Sequence, residues 1–122
     1  MAGKKKPKVL VVDDERVIAD TLAIILNQHG YDASAVYTGT GAVERARQLS
    51  PDLIISDVIM PDMNGIEAAI RIRDFLPSCK ILLFSGQAAT ADLLENARAQ
   101  GHEFEILAKP VHPQDLLAKL RS

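Results

Sequence analysis

The chain has 122 residues, of which 48% are hydrophobic and 25% charged, and its net charge at pH 7 is −2. This length and composition fit one globular domain with its own core, and they exclude an intrinsically disordered chain. The charge gives no reason to expect direct binding to nucleic acid, and no apolar run is long enough to predict a membrane span. Cys79 is the single cysteine, so no internal disulfide can form and a cytoplasmic protein is expected.

Short apolar runs alternate with helical patterns along the chain, after a lysine-rich stretch, residues 1–7, that is expected to be a flexible basic arm. Five runs rich in branched apolar residues have the length and composition of buried strands. They cover residues 9–12, 33–37, 53–57, 80–85 and 104–108.

The segments between these runs carry apolar residues spaced three and four apart, which predicts amphipathic helices. The first helix begins near Glu15 and ends before Gly30. The second follows a turn at residues 38–41 and ends before Pro51. The remaining three cover residues 65–75, residues 90–100, and the chain from Pro113 onward.

Five strands alternating with five helices predict an α/β fold with one domain over residues 1–122. Right-handed crossovers place the helices on both faces of a parallel sheet. The expected architecture is a flavodoxin-like, doubly wound five-stranded sheet with strand order 2-1-3-4-5. In this order the first and third strands are neighbours, and ligands bind beyond their carboxyl ends.

Polar residues stand at the carboxyl ends of the predicted strands. Asp13 and Asp14 follow the first strand, Asp57 ends the third, Ser85 ends the fourth and Lys109 follows the fifth. Carboxylates about 4 Å apart repel by about 4 kcal/mol per pair at a dielectric near 20, so they hold protons or bind a cation. Mg²⁺ suits such carboxylates together with a phosphoryl oxygen, which the lysine and the serine could also contact. These residues predict a phosphoryl transfer with Asp57 as the nucleophile.

Five short motifs extend this pattern over the whole chain. They are Val11-Val12-Asp13-Asp14-Glu15, Ser56-Asp57, Met60-Pro61-Asp62-Met63-Asn64-Gly65, Phe84-Ser85-Gly86 and Lys109-Pro110. In order and spacing these motifs resemble the receiver domains of two-component response regulators, of which the chemotaxis regulators are one kind. The resemblance implies that Asp57 takes a phosphoryl group from a phosphohistidine on a sensor histidine kinase or a phosphotransfer protein.

The resemblance also implies a metal site and its ligands. Asp14, Asp57 and the backbone carbonyl of Ile59 would bind Mg²⁺, and Asp13 would support the ion through water. No other cofactor is expected. Ile59 and Gln87 occupy the variable positions that flank the site in this family. Because an apolar Ile59 cannot position an attacking water, we expect a long-lived phosphoryl group.

A conformational switch is the third implication. Lys109 would pair with the phosphoryl oxygens, Ser85 would move toward them, and the surface of the fourth helix, fifth strand and fifth helix would change. A downstream effector is expected on that surface, with a phosphorylation-dependent homodimer left open. The family usually has an aromatic residue three positions before the lysine, but this chain has Ile106, and Phe104 on the same side of the strand is a candidate substitute. The Lys109-Pro110 peptide is expected to be cis.

Two other functions compete with this interpretation. One is an aspartate-nucleophile phosphatase for small phosphoesters, and the other is a receiver-like module that binds partners without phosphorylation. The preferred interpretation makes the chain no enzyme beyond its own phosphorylation and dephosphorylation, with no direct nucleic-acid or membrane partner. Asp62 and Asn64 are interpreted as turn formers.

Overall fold

The computed structural model describes residues 6–86 and 90–121, apart from the side chains of Thr90 and Arg121. Most of the predicted basic arm, residues 1–5, and the flanking position Gln87 lie outside the described residues. None of the described helices combines the length and the apolar composition needed to cross a membrane.

Strands and helices alternate along the described chain in the predicted order. The strands are β1 (Lys8–Val12), β2 (Asp32–Val36), β3 (Leu53–Asp57), β4 (Lys80–Ser85) and β5 (Glu105–Ala108). The helices are α1 (Arg16–Asn27), α2 (Gly39–Leu49), α3 (Gly65–Phe75), α4 (Thr90–Ala99) and α5 (Pro113–Arg121).

All four strand pairings are parallel and join the strands in the order β2-β1-β3-β4-β5, which confirms the predicted fold class and strand order. Some ends differ by one residue from the prediction, because pairing with a neighbour decides where a strand begins. Lys8 pairs with Asp32, so β1 and β2 each begin one residue earlier than predicted. In β5 the pairing begins at Glu105, opposite Leu82, and Phe104 precedes the strand.

The sheet separates two hydrophobic clusters, which explains why β1, β3 and β4 are apolar on both faces. Helices α2, α3 and α4 cover one face with small and branched residues that include Ala46, Ile72 and Ala97. Helices α1 and α5 cover the other face with Leu26 and Leu116 among the buried residues. The predicted site residues lie at the carboxyl ends of the strands, where a cleft opens to solvent.

Candidate functional site

Three carboxylates meet at the carboxyl ends of β1 and β3. Val12 pairs with Ser56 in the sheet, so the residues that follow them in the chain, Asp13 and Asp57, come to the same edge. Asp13, Asp14 and Asp57 each place an oxygen within 4.8 Å of the other two. Asp13 is fully buried and Asp57 is 5% exposed, whereas Asp14 is open to solvent. We call these three residues the acid cluster.

Asp13 has one satisfied and one unsatisfied carboxylate oxygen. Its Oδ1 accepts the backbone N–H of Glu15 at 2.9 Å, at the start of α1. Its Oδ2 is buried without a hydrogen-bond partner in the part of the chain that the structure describes. Burial raises the pKa of Asp13 to about 6, against the Glu15 N–H that lowers it, and the nearby Asp57 charge raises it further. A buried, unpaired carboxylate oxygen among hard oxygen donors fits a divalent cation with a preference for oxygen, such as Mg²⁺.

Lys109 brings a positive charge to the acid cluster. Its Nζ donates a hydrogen bond to Asp57 Oδ2 at 2.9 Å, and its backbone N–H donates to the Ser85 carbonyl at 3.1 Å. Partial burial works to lower the pKa of Lys109, but the hydrogen bond and charge of Asp57 outweigh it, and the net pKa is raised. The Lys109-Pro110 peptide is cis, which confirms that expectation.

A cleft of about 260 Å³ opens over the acid cluster. Its lining residues are Asp14, Glu15, Asp57, Ile59, Gly86 and Lys109. The Ile59 side chain is 42% exposed at this cleft, and Ser85 is half-buried at the end of β4. The sequence placed Glu15 at a helix start and at the end of the first receiver motif, but it was not predicted to be a site residue. The acidic run that continues from Asp14 was the signal that could have included it.

The two candidate switch residues differ in their position relative to β5. Both Phe104 and Ile106 are half-buried against the cluster under α2, α3 and α4. Ile106 lies within the strand opposite Leu83. Phe104 lies before the strand, where the guanidinium of Arg73 stands 4.6 Å from its ring centroid and the ring of His102 stacks at 6.5 Å.

Asp62 and Asn64, interpreted from the sequence as turn formers, both accept backbone hydrogen bonds at helix starts. Asn64 Oδ1 accepts the N–H of Glu67 at 2.8 Å and caps α3. Asp62 instead reaches α2, where Gly39 and Thr40 donate to its two oxygens at 3.1 and 2.9 Å. The local sequence gave no signal for this second contact, because the residues are more than 20 positions apart.

A doubly wound parallel sheet with polar side chains at its switch point defines a flavodoxin-like α/β protein. The response regulator receiver domain family matches residues 9–121. The chemotaxis protein CheY of Thermotoga maritima is 33% identical over 114 residues, which are 93% of each chain. The structure of chemotaxis protein CheY4 of Vibrio cholerae superposes with a TM-score of 0.84 at 30% identity, covering 95% of this chain and 97% of that one. The chain belongs to the family of response regulator receiver domains.

Some relatives are about twice as long as this chain. The probable transcriptional regulatory protein TcrX of Mycobacterium tuberculosis is 31% identical over 114 residues, which are 93% of this chain but 48% of TcrX. The family gives the chain a phospho-acceptor role in two-component signalling. Receiver domains are typically signalling modules without enzymatic turnover, and they interact with histidine kinases and downstream effectors.

Proposed function

We propose that Asp57 is the phospho-acceptor of this receiver domain and that it takes its phosphoryl group from a phosphohistidine. The observation that carries the proposal is the hydrogen bond of 2.9 Å between Lys109 Nζ and Asp57 Oδ2, inside a cluster of three carboxylates. A lysine in this position can pair with the free carboxylate and, after phosphorylation, with the phosphoryl oxygens. No other aspartate among the described residues combines burial, a lysine partner and access to a cleft.

The chemical step needs few groups. A carboxylate oxygen of Asp57 attacks phosphorus, the new O–P bond forms, and the N–P bond of the phosphohistidine breaks. The imidazole leaves with the bonding electron pair and takes up a proton. Lys109 then pairs with the oxygens of the transferred group, and the Ser85 hydroxyl donates a hydrogen bond to one of them. The cleft above Asp57 leaves room for the donor.

The acid cluster supports Mg²⁺ as the metal of this site. Asp14, Asp57 and the Ile59 carbonyl would bind the ion, and Asp13 would support it through water. When bound, Mg²⁺ offsets the charge of the carboxylates and of the phosphoryl oxygens. The buried Oδ2 of Asp13 and the mutual distances within the acid cluster are the observations that favour this assignment.

The competing functions have less support. A phosphatase with an aspartate nucleophile usually needs a carboxylic acid two residues further on as the general acid. Ile59 occupies that position with an apolar side chain. A module that works without phosphorylation has no need of a lysine, a nucleophile and an acid cluster in one place. We therefore propose no enzymatic activity beyond the domain's own phosphorylation and dephosphorylation.

The partners follow from the position of the site. A sensor kinase or phosphotransfer protein must cover the cleft, and a second, apolar cleft of about 410 Å³ lies beside it between Ile18, Leu22 and Val111. A downstream effector, or a second phosphorylated copy, would bind the face formed by α4, β5 and α5. The net charge of −2 supports no direct contact with nucleic acid or with an anionic membrane. We place the protein in the cytoplasm, with residues 1–122 in one receiver domain.

Incubation with Mg²⁺ and acetyl phosphate, followed by intact mass measurement, tests the proposal. We expect one phosphoryl group per wild-type chain and none on Asp57→Asn. Asp52→Asn is the control, because Asp52 stands at the opposite end of β3 and should leave labelling unchanged. Failure of the wild type to gain mass, or labelling of Asp57→Asn to the same extent, would refute it. Sustained turnover of a chromogenic phosphate ester would favour the phosphatase.

A further inference from the structure

The loop between β3 and α3, residues 58–64, carries the Ile59 carbonyl and is held firmly at both ends. The Val58 N–H donates to the Phe84 carbonyl at 3.3 Å, and the Gly65 N–H donates to the Val58 carbonyl at 2.7 Å. The side chain of Met60 is buried in the core. The outer half of the loop extends beyond these anchors, and it contains Asp62.

Asp62 connects the outer half of the loop to the first turn of α2. The N–H groups of Gly39 and Thr40 have no partner within their own helix, as at every helix start. They donate instead to Oδ1 and Oδ2 of Asp62 at 3.1 and 2.9 Å. Thr38 Oγ1 accepts the next N–H, that of Gly41, at 2.9 Å. Asp62 from the loop and Thr38 thus cap the N-terminus of α2 together.

Close packing of the backbones reinforces the connection. A Cβ atom on Gly39 would collide with the carbonyl oxygen and the Cβ of Met63, so only a glycine lets α2 start against the loop. The N–H and the side chain of Thr40, joined by the N–H of Gly39, hold the pKa of Asp62 well below its usual range. The carboxylate therefore stays ionised at the positive end of the α2 dipole throughout the physiological pH range.

We propose that Asp62 is a positioning residue for the metal and phosphoryl site: it fastens the loop that carries the Ile59 carbonyl to the start of α2. This role rests on the proposed function of Asp57 and of the acid cluster. It predicts that loss of the Asp62 carboxylate weakens Mg²⁺ binding even though Asp62 is not a ligand.

Titration of the 122-residue chain with Mg²⁺ alone, followed by the amide signals in NMR spectra, measures this effect. For Asp62→Ala we expect a dissociation constant about tenfold higher than that of the wild type, at the low end of what groups outside the ligand shell contribute. Asp62→Asn keeps one acceptor oxygen, so its dissociation constant should fall between the two.

Asp52→Ala is the matched control. Asp52 is also an exposed aspartate that accepts a backbone N–H, that of Lys8 at 2.8 Å, but it lies at the other end of β3. Asp52→Ala should lower the melting temperature less than Asp62→Ala does, because Asp52 accepts one backbone N–H group and Asp62 accepts two. It should leave the Mg²⁺ affinity unchanged. An unchanged Mg²⁺ affinity in folded Asp62→Ala, or in Asp62→Asn if the alanine variant does not fold, would overturn the role of Asp62. A wild type that neither binds Mg²⁺ nor accepts phosphate would overturn the proposed function itself.

Discussion

Among single residues, Asp13 makes stability depend on pH through its buried carboxyl group. Its pKa is about 6 in the folded chain against 3.8 in the unfolded chain, because burial disfavours the charged form. Between these two values the folded state holds a proton that the unfolded state has lost. The free energy of unfolding therefore falls as the pH rises from about 4 to about 6, and it stays lower above that range.

Asp13→Asn should raise the free energy of unfolding at pH 7 by about 2 kcal/mol when Mg²⁺ is removed by a chelator. The substitution removes the buried charge and should also flatten the pH dependence between 4 and 6. Urea unfolding at several pH values measures both effects. Asp14→Asn is the control, since this exposed residue should change stability by less than about 0.5 kcal/mol. Equal stability of Asp13→Asn and the wild type would show that Asp13 carries no such cost.

The side chain of Ile59 is expected to determine the lifetime of the phosphoryl group. Its exposed side chain lines the cleft and has no polar atom with which to orient a water molecule. Ile59→Asn should therefore speed the loss of the phosphoryl group after the donor is removed, by about tenfold if the amide positions the water well. Ile59→Leu, which remains apolar, should keep the wild-type rate. A rate for Ile59→Asn that is unchanged or slower would contradict this explanation.

Among the structural elements, the junction of β3 and α3 leaves no space for a side chain at Gly65. A Cβ atom on Gly65 would collide with the carbonyl oxygen of Asp57, which belongs to the backbone and cannot turn aside. Gly65→Ala should cost about 2–3 kcal/mol in the free energy of unfolding, as overpacking does in cores, and it should also slow phosphorylation by displacing Asp57.

Gly30→Ala provides the comparison for Gly65→Ala. Gly30 has φ +92 but nothing within 4 Å of an added Cβ, so only the strained backbone conformation opposes the change. We expect a cost of about 1 kcal/mol and no effect on phosphorylation. Thermal unfolding and intact mass after acetyl phosphate treatment measure the two quantities. A Gly65→Ala variant as stable as Gly30→Ala would show that the junction can relax.

Some features of these strands, helices and loops were predictable from the sequence, and others were not. The strand at residues 53–57 was predictable because a fully buried strand requires a continuous apolar run. The meeting of Asp13 with Asp57 followed from the strand order that short, right-handed connections impose. The contact from Asp62 to α2 was not predictable, because aspartate is common in turns and the local sequence does not show which helix start lies nearby. Strand ends shifted for a similar reason, since pairing partners are distant in sequence.

Across the whole molecule, the distance from the site decides which residue can pass on a signal. Ser85 pairs with Ala108, and Leu83 pairs with Ile106, so Ile106 lies two residues, or about 7 Å, from the level of Ser85 along the sheet. Phe104 lies four residues away, at about 13 Å, and its ring is engaged by Arg73 and His102. A change at Ser85 reaches Ile106 first, although an aromatic ring is absent there.

This geometry predicts a relay that depends on Ile106 rather than on Phe104. Phosphorylation with acetyl phosphate and Mg²⁺ should shift the NMR amide signals of α4, β5 and α5, because the modified site favours a different packing of this face by about 1–3 kcal/mol. Ile106→Ala should reduce these shifts strongly in α4 and α5 while labelling of Asp57 stays complete. Phe104→Leu, which loses the contacts to Arg73 and His102, should keep them. The opposite result, with shifts lost in Phe104→Leu and kept in Ile106→Ala, would make Phe104 the substitute for the missing aromatic switch and place the relay at the far end of β5.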